Sequence, residues 1–471
     1  MDGEEEVHVL LVTLPKQGHI NPMLRLAKRL VSKGLHAVLA TTENERHRLL
    51  HFKASVTQQT NPPKTPTISL EFFSDGLSDE FDREKYLESS IESLQTIGSK
   101  NLSNLITKLK TKCNKISCII TNPFMPWVPG LAEEHGIPCA VLWIQASAVY
   151  FIYSNYFKHP YLFPSLDNPN DAVELPGMPM LLVKELPSFI LPSSHICLTK
   201  LVSDFVQMLD KVKWILGNSF NELEKEIVGS MGSLQQIIPI GPLVPPFLLG
   251  EKEIIAASMD LCRPEDYCIE WLDKKPPSSV IYISFGSLIV MTQNQIDSIA
   301  TALRKSCRQF LWVVKPPEKG CSKRSGEFPP GFLEDTKERG LVVKWCPQEK
   351  VLMHQAVACF MTHCGWNSTL ETIATGVPVI AYPHWTDQSI DAKLLVDILK
   401  IGVGMKNEED GTLSVDEVEK CIMEMTDKNT ATEMKKRAIF FKEAAKKAVA
   451  NGGSSDRNLD TFINEIQGKS F

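Results

Sequence analysis

The chain has 471 residues, too many for one compact core, and at roughly 100–200 residues per domain it points to two or three domains. Its composition, 43% hydrophobic and 23% charged, is that of a globular protein and sets aside the fibrous and disordered classes. With 50 Lys and Arg against 56 Asp and Glu the net charge is −6, which argues against a dedicated nucleic-acid or anionic-membrane binder.

The chain opens on an acidic run, and the apolar stretch Val7–Leu14 is too short to span a bilayer and lacks the basic flank of a signal peptide. The 12 cysteines are scattered, with no pair at zinc-ligand spacing, so the expectation is a reduced cytoplasmic protein. Val7–Leu14 is almost continuously apolar and reads as a buried parallel strand. Residues 15–20 read as a loop carrying His19, and Asn21-Pro22 as the cap and first position of a helix that closes at Gly34. His36–Thr41 is the next strand, completing a βαβ unit. Prolines crowd the stretch 161–194, which reads as a loop-rich excursion, with regular structure expected again at Trp214–Ser219. A second break runs from Ile240 through Cys262. The strand–helix rhythm then restarts at Val280–Phe285, Gln309–Val314, Leu341–Trp345, Ala358–Thr362 and Val377–Tyr382, with helix over 413–450 and 454–467. The expected fold is α/β: two doubly wound, Rossmann-like domains facing a cleft.

The densest polar constellation lies in the second half: Trp345-Cys346-Pro-Gln348, then His363-Cys-Gly365-Trp366-Asn367-Ser368, Glu371, and Asp387-Gln388. A strand, a glycine turn and a helix start make an anion site, to which His363, Asn367 and Ser368 add donors suited to a diphosphate. The loop Ser284-Phe-Gly-Ser287 could reach the same phosphates. Ser368-x-x-Glu371 also fits a capping box, so Glu371 caps its own helix or meets a sugar hydroxyl. Trp345 and Trp366 fit core roles equally well.

As a set, the 44 residues from Trp345 to Gln388 resemble the box of the plant family 1 UDP-sugar-dependent glycosyltransferases, and the likeness extends from Gly18-His-Ile-Asn-Pro22 to the last helix. The resemblance implies the GT-B fold: an N-terminal acceptor-binding domain (1–243), a linker (244–265), a C-terminal UDP-sugar-binding domain (266–452), and a helix (453–471) packing on the N-terminal domain. It implies that Trp345 stacks on uracil, with Cys346 and Gln348 holding base and ribose, and that Glu371 binds the ribose diol. Ser287, His363, Gly365, Asn367 and Ser368 would hold the diphosphate. Asp387 and Gln388 would meet the sugar hydroxyls beside Trp366, glutamine at the last position being typical of UDP-glucose users. No metal is expected, because a helix end and polar side chains hold the diphosphate, and no cofactor, UDP-glucose being the donor substrate. The remaining expectations are a monomer without nucleic-acid partner or membrane span, and closure of the domains over the donor.

A neutral histidine at a helix start can take the proton of an acceptor hydroxyl, and the resemblance assigns that role to His19. Most relatives pair this histidine with an aspartate; the corresponding segment here, Cys118-Ile-Ile-Thr-Asn122-Pro-Phe124-Met-Pro-Trp127, places Asn122 there. An amide can orient His19 but cannot stabilise imidazolium, whereas a carboxylic acid acceptor is already ionised at pH 7. The segment also resembles the subgroup forming glucose esters of phenolic acids, whose members also include enzymes acting on flavonoids and phenols. Phe124, Trp127, Trp143 and Gln145, with the aromatic run 150–157, are candidates for an aromatic acceptor pocket or for plain core. The alternatives are a C-glucosyltransferase on a polyphenol and a weakly catalytic UDP-sugar-binding protein. A dehydrogenase is disfavoured, because the first loop lacks G-x-G-x-x-G.

Overall fold

The computed structural model describes residues 6–49, 66–112, 115–251, 267–287, 289–314 and 327–469, and these form two units. The first takes the chain as far as Pro245 and again from Lys447 onward; the second holds Pro246–Glu251 and the described residues from Tyr267 to Lys446. Of the break expected from Ile240 through Cys262, residues 252–262 lie outside the described residues; within the rest Pro246–Leu249 forms a 3₁₀ turn. No helix among the described residues is long and apolar enough to cross a membrane.

In the first unit β1 (His8–Val12), β2 (His36–Thr42), β3 (Ile68–Phe73), β4 (Ile116–Thr121) and β5 (Cys139–Trp143) belong to one parallel sheet. β6 (Ala172–Val173) and β7 (Leu181–Leu182) pair apart from it, and β8 (Trp214–Gly217) and β9 (Ile237–Pro239) complete it in the order β3-β2-β1-β4-β5-β8-β9. The continuous apolar run of β1 follows from burial on both faces. Val9 and Leu11 join helices Gln17–Ser32 and Ser454–Gln467 on one side, while Leu10 and Val12 join helices Ser99–Lys112 and Val128–Glu134 on the other. From the last helix Leu459, Phe462, Ile463 and Ile466 enter that core.

Two readings of this half need correction. The first helix starts at Gln17, not at Asn21-Pro22, because the Lys16 carbonyl accepts from both the His19 and Ile20 N–H groups (2.9 Å each) and closes a turn upstream. Pro22 therefore lies inside the helix, where it removes one backbone donor close to the helix start. Regular structure also resumes before Trp214, since Ile196–Gln207 is an amphipathic helix burying Leu201, Val202, Phe205 and Val206.

The second sheet is built from β10 (Val280–Ser284), β11 (Gln309–Val313), β12 (Gly340–Val343), β13 (Val357–Thr362), β14 (Val379–Ala381) and β15 (Gly402–Gly404), all parallel, in the order β12-β11-β10-β13-β14-β15. β15 carries no strand signal in the sequence because it is Gly-Val-Gly. A Cβ at Gly402 would lie 2.4 Å from Val379 Cγ2, so only glycine fits against the neighbouring strand. In each sheet the order reverses once, between β1 and β4 and between β10 and β13. Loops leaving the carboxyl ends of strands at such a reversal diverge and open a crevice.

Candidate functional site

Both crevices are lined by the residues singled out in the sequence. In the first unit His19 follows β1 and Asn122 follows β4. His19 occupies the first turn of helix Gln17–Ser32, and although part of its ring meets solvent, Nδ1 is enclosed and has no hydrogen-bond partner. Burial pushes its pKa down to about 4; the Asn122 side chain offsets a little of that, and the Lys16 charge adds to it. The amide of Asn122 is otherwise occupied, accepting from Phe124 N–H (3.0 Å) and donating to Thr13 Oγ1 (3.2 Å). The result is a neutral imidazole with no carboxylate behind it.

Phe124 presents its ring edge-on to His19 at 5.2 Å, and Phe189, from the proline-rich excursion, meets Phe124 at 6.1 Å. Phe189 was not among the sequence candidates, because nothing in a proline-rich stretch marks which aromatic folds back. Trp127 is half-buried against the Met125–Val128 side of the core. Trp143 is corrected from pocket wall to core: it is 1% exposed, its indole N–H donates to Ala146 O, and Tyr150, Tyr153 and Phe205 pack around it. Tyr150, Phe151 and Tyr153 are likewise fully buried. Gln145, 6% exposed, keeps an Oε1 with no partner.

In the second unit His363 follows β13, opposite the Phe285–Ser287 loop that follows β10. Two glycines cradle the imidazole. A Cβ on Gly286 would sit 2.8 Å from Nε2, and one on Gly365 2.5 Å from it. Burial, then the neighbouring His384, lower the pKa of His363 to about 3, so the ring is neutral near pH 7. His384, which the sequence reading passed over, has a lowered pKa through burial, hydrogen-bonds the Tyr382 carbonyl through Nδ1 (2.9 Å), and leaves Nε2 enclosed and unpaired. Two non-glycine residues in these loops are left-handed, Cys364 (φ 63°) and Thr386 (φ 60°), a conformation that clusters where loops are shaped for binding.

Helix Trp366–Thr375 starts after Gly365, so Ser368 lies inside its first turn and does not cap it. That removes the capping-box reading of Glu371. Glu371 and Ser368, 5% and 9% exposed, instead receive the Gln348 amide, whose Nε2 donates to Glu371 Oε2 (2.8 Å) and Ser368 Oγ (3.0 Å). Trp345 is half-buried and Trp366 is buried, while Cys346 is buried within the core flanking β10. Gln388 Oε1 accepts from the His384 and Trp385 N–H groups (2.9 and 3.2 Å), and Asp387 accepts from Thr386 Oγ1 (2.5 Å). Ser287 stands exposed on its loop.

A family profile described as UDP-glucoronosyl and UDP-glucosyl transferase matches residues 268–436. UDP-glycosyltransferase 84B1 of Arabidopsis thaliana is 49% identical over 98% of both chains. This chain belongs to the plant family 1 UDP-glycosyltransferases. Gallate 1-beta-glucosyltransferase of Quercus robur is 42% identical, over 100% of this chain and 92% of the relative. Os79 from O. sativa, solved in complex with UDP, superposes with a TM-score of 0.81 at 29% identity, covering 97% of this chain and 100% of the other. The protein is thus a GT-B glycosyltransferase, close to the subgroup that forms esters of phenolic acids. The family match spans the whole second crevice, from β10 through the Gln348 network to Gln388.

Proposed function

We propose that this glycosyltransferase transfers glucose from UDP-glucose, with inversion, to the carboxylate of small aromatic acids, giving glucose esters. The observation that carries this reading is the solitary His19. A half-buried imidazole whose pKa is lowered to about 4 and that has no carboxylate partner is a poor base for a phenol, whose proton must be taken in the transition state. A carboxylate acceptor brings its own charge; its oxygen attacks the anomeric carbon as the bond from that carbon to the β-phosphate oxygen breaks, and UDP departs from the opposite face. His19 then orients the acceptor. The relatives named for gallate and cinnamate glucosylation favour the same class.

On the donor side Trp345 stacks on uracil, Cys346 and Gln348 hold base and ribose, and Glu371 takes the ribose diol. His363, Gly365, Asn367, Ser368 and Ser287 hold the diphosphate, with the helix start at Trp366 supplying positive potential. Asp387 and Gln388 meet the sugar hydroxyls beside Trp366; because Oε1 of Gln388 already holds two backbone N–H groups, its NH2 is the part that reaches the sugar. The described cysteines are all free, in keeping with a reduced cytoplasmic setting.

Glucosylation of phenol oxygens is the second reading, favoured because His19 is neutral and so able to accept a proton. Incubation with UDP-glucose and matched aromatic acids and neutral phenols, followed by mass spectrometry and mild hydroxylamine, separates the two. Hydroxylamine-labile products support esters. Stable products overturn the acid preference.

A further inference from the structure

We propose that Tyr282 is a positioning residue for the donor site: its hydroxyl anchors the Gln348 amide in the orientation that the Glu371 carboxylate favours, and so steadies that ribose-binding carboxylate. This rests on the reading of Gln348 and Glu371 as donor-binding residues. Tyr282 lies in β10, 1% exposed, stacked on Phe360 of β13 with ring centroids 4.7 Å apart. Its ring is thus fixed by the sheet, and the hydroxyl emerges at one place. Tyr282 Oη donates to Gln348 Oε1 at 3.1 Å and lies 3.3 Å from Cys346 Sγ.

A primary amide can turn by half a rotation at little intrinsic cost, exchanging its oxygen and nitrogen. At Gln348 the choice matters. With Oε1 held by Tyr282, both N–H groups of Nε2 point at acceptors, Glu371 Oε2 and Ser368 Oγ. Turned over, the amide oxygen would face the Glu371 carboxylate, two acceptors in contact at a site where Glu371 is 5% exposed. Burial raises the Tyr282 pKa well above the ordinary phenol value, so the hydroxyl remains a donor throughout the working pH range. In this pattern Gln348 shares the Glu371 carboxylate that a ribose diol would take.

The test is a double-mutant cycle read by calorimetric titration with UDP, on the full chain. Tyr282→Phe removes one oxygen and is expected to weaken UDP binding about 5- to 10-fold, the scale of one lost hydrogen bond in a buried network. Gln348→Leu should weaken it at least as much. If Tyr282 acts through Gln348, the double variant binds UDP as Gln348→Leu does, and the acceptor KM is unchanged in Tyr282→Phe. Multiplicative losses, or a Tyr282→Phe protein that binds like the wild type, overturn the proposal. Gln348→Glu keeps an acceptor for Tyr282 but sets a second carboxylate against Glu371, so it should bind UDP more weakly than Gln348→Leu whatever the fate of Tyr282→Phe. The opposite order also overturns it. Wild-type UDP affinity in both Gln348→Leu and Glu371→Gln would instead refute the assignment of the donor site.

Discussion

Replacing Asn122 by Asp tests the link between the missing carboxylate and acceptor choice. The substitution keeps the local turn, because an Asp oxygen accepts from Phe124 N–H as the amide oxygen does, while the Thr13 hydroxyl can reverse and donate. Its effect falls on His19. The distance from the ordinary histidine value of 6.5 to about 4 is equivalent to about 3 kcal/mol against the imidazolium. A carboxylate in contact with the ring, at an effective dielectric near 20, returns roughly 2–4 kcal/mol of that. If about half of the proton is transferred in the transition state, phenol glucosylation should accelerate about 10-fold. An aromatic carboxylate should gain nothing, and lose some affinity to the new negative charge. The assay is kcat/KM with UDP-glucose for a neutral phenol and for a carboxylic acid of matched size. An Asn122→Asp enzyme whose phenol-to-acid ratio equals that of the wild type would refute the reasoning.

The same buried histidines govern acid stability. His19 and His363 bind fewer protons folded than unfolded, so stability is level above the unfolded value of 6.5 and falls as pH drops towards about 4 and about 3. Urea titrations should show lower stability at pH 4.5 than at pH 7.5, and His363→Gln should reduce the difference. Gly365→Ala places a methyl 2.5 Å from His363 Nε2 and should raise the KM for UDP-glucose at least about 10-fold, with the acceptor KM unchanged in steady-state kinetics. Phe462→Ala opens a cavity in a core closed by Trp214, whose ring lies 5.3 Å from that of Phe462, and should cost about 3–5 kcal/mol in chemical unfolding.

Hydrophobic periodicity carried most of the strand positions, because parallel strands covered on both faces leave continuous apolar runs, as in β1 and β13. It failed where the signal is steric, as in the Gly-Val-Gly strand β15, and where proline marks two different things. Asn21-Pro22 has the chemistry of a helix start, yet the turn that closes on Lys16 lies upstream and carries the proline inside. Aromatic residues beside Asn122 were legible as a cluster but not as pocket or core; only burial separates Trp143 from Phe124. All the donor residues except Ser287 could be named together because they lie within 44 positions of one another. Tyr282 could not, since between Ile281 and Ile283 it spells nothing but a buried strand, whereas Ser287 lies in a small-residue loop.

The helix Ser454–Gln467 closes the core of the first unit after the whole second unit has intervened in the chain. During synthesis the first unit therefore cannot finish folding when its own sheet emerges. The face around Trp214 that Phe462 covers waits until residues beyond 454 have been made. A chaperone has that interval in which to bind. Proteolytic loss of the tail would expose the first unit's core and leave the second unit's core intact, so trimming at one end of the polypeptide is felt near its beginning.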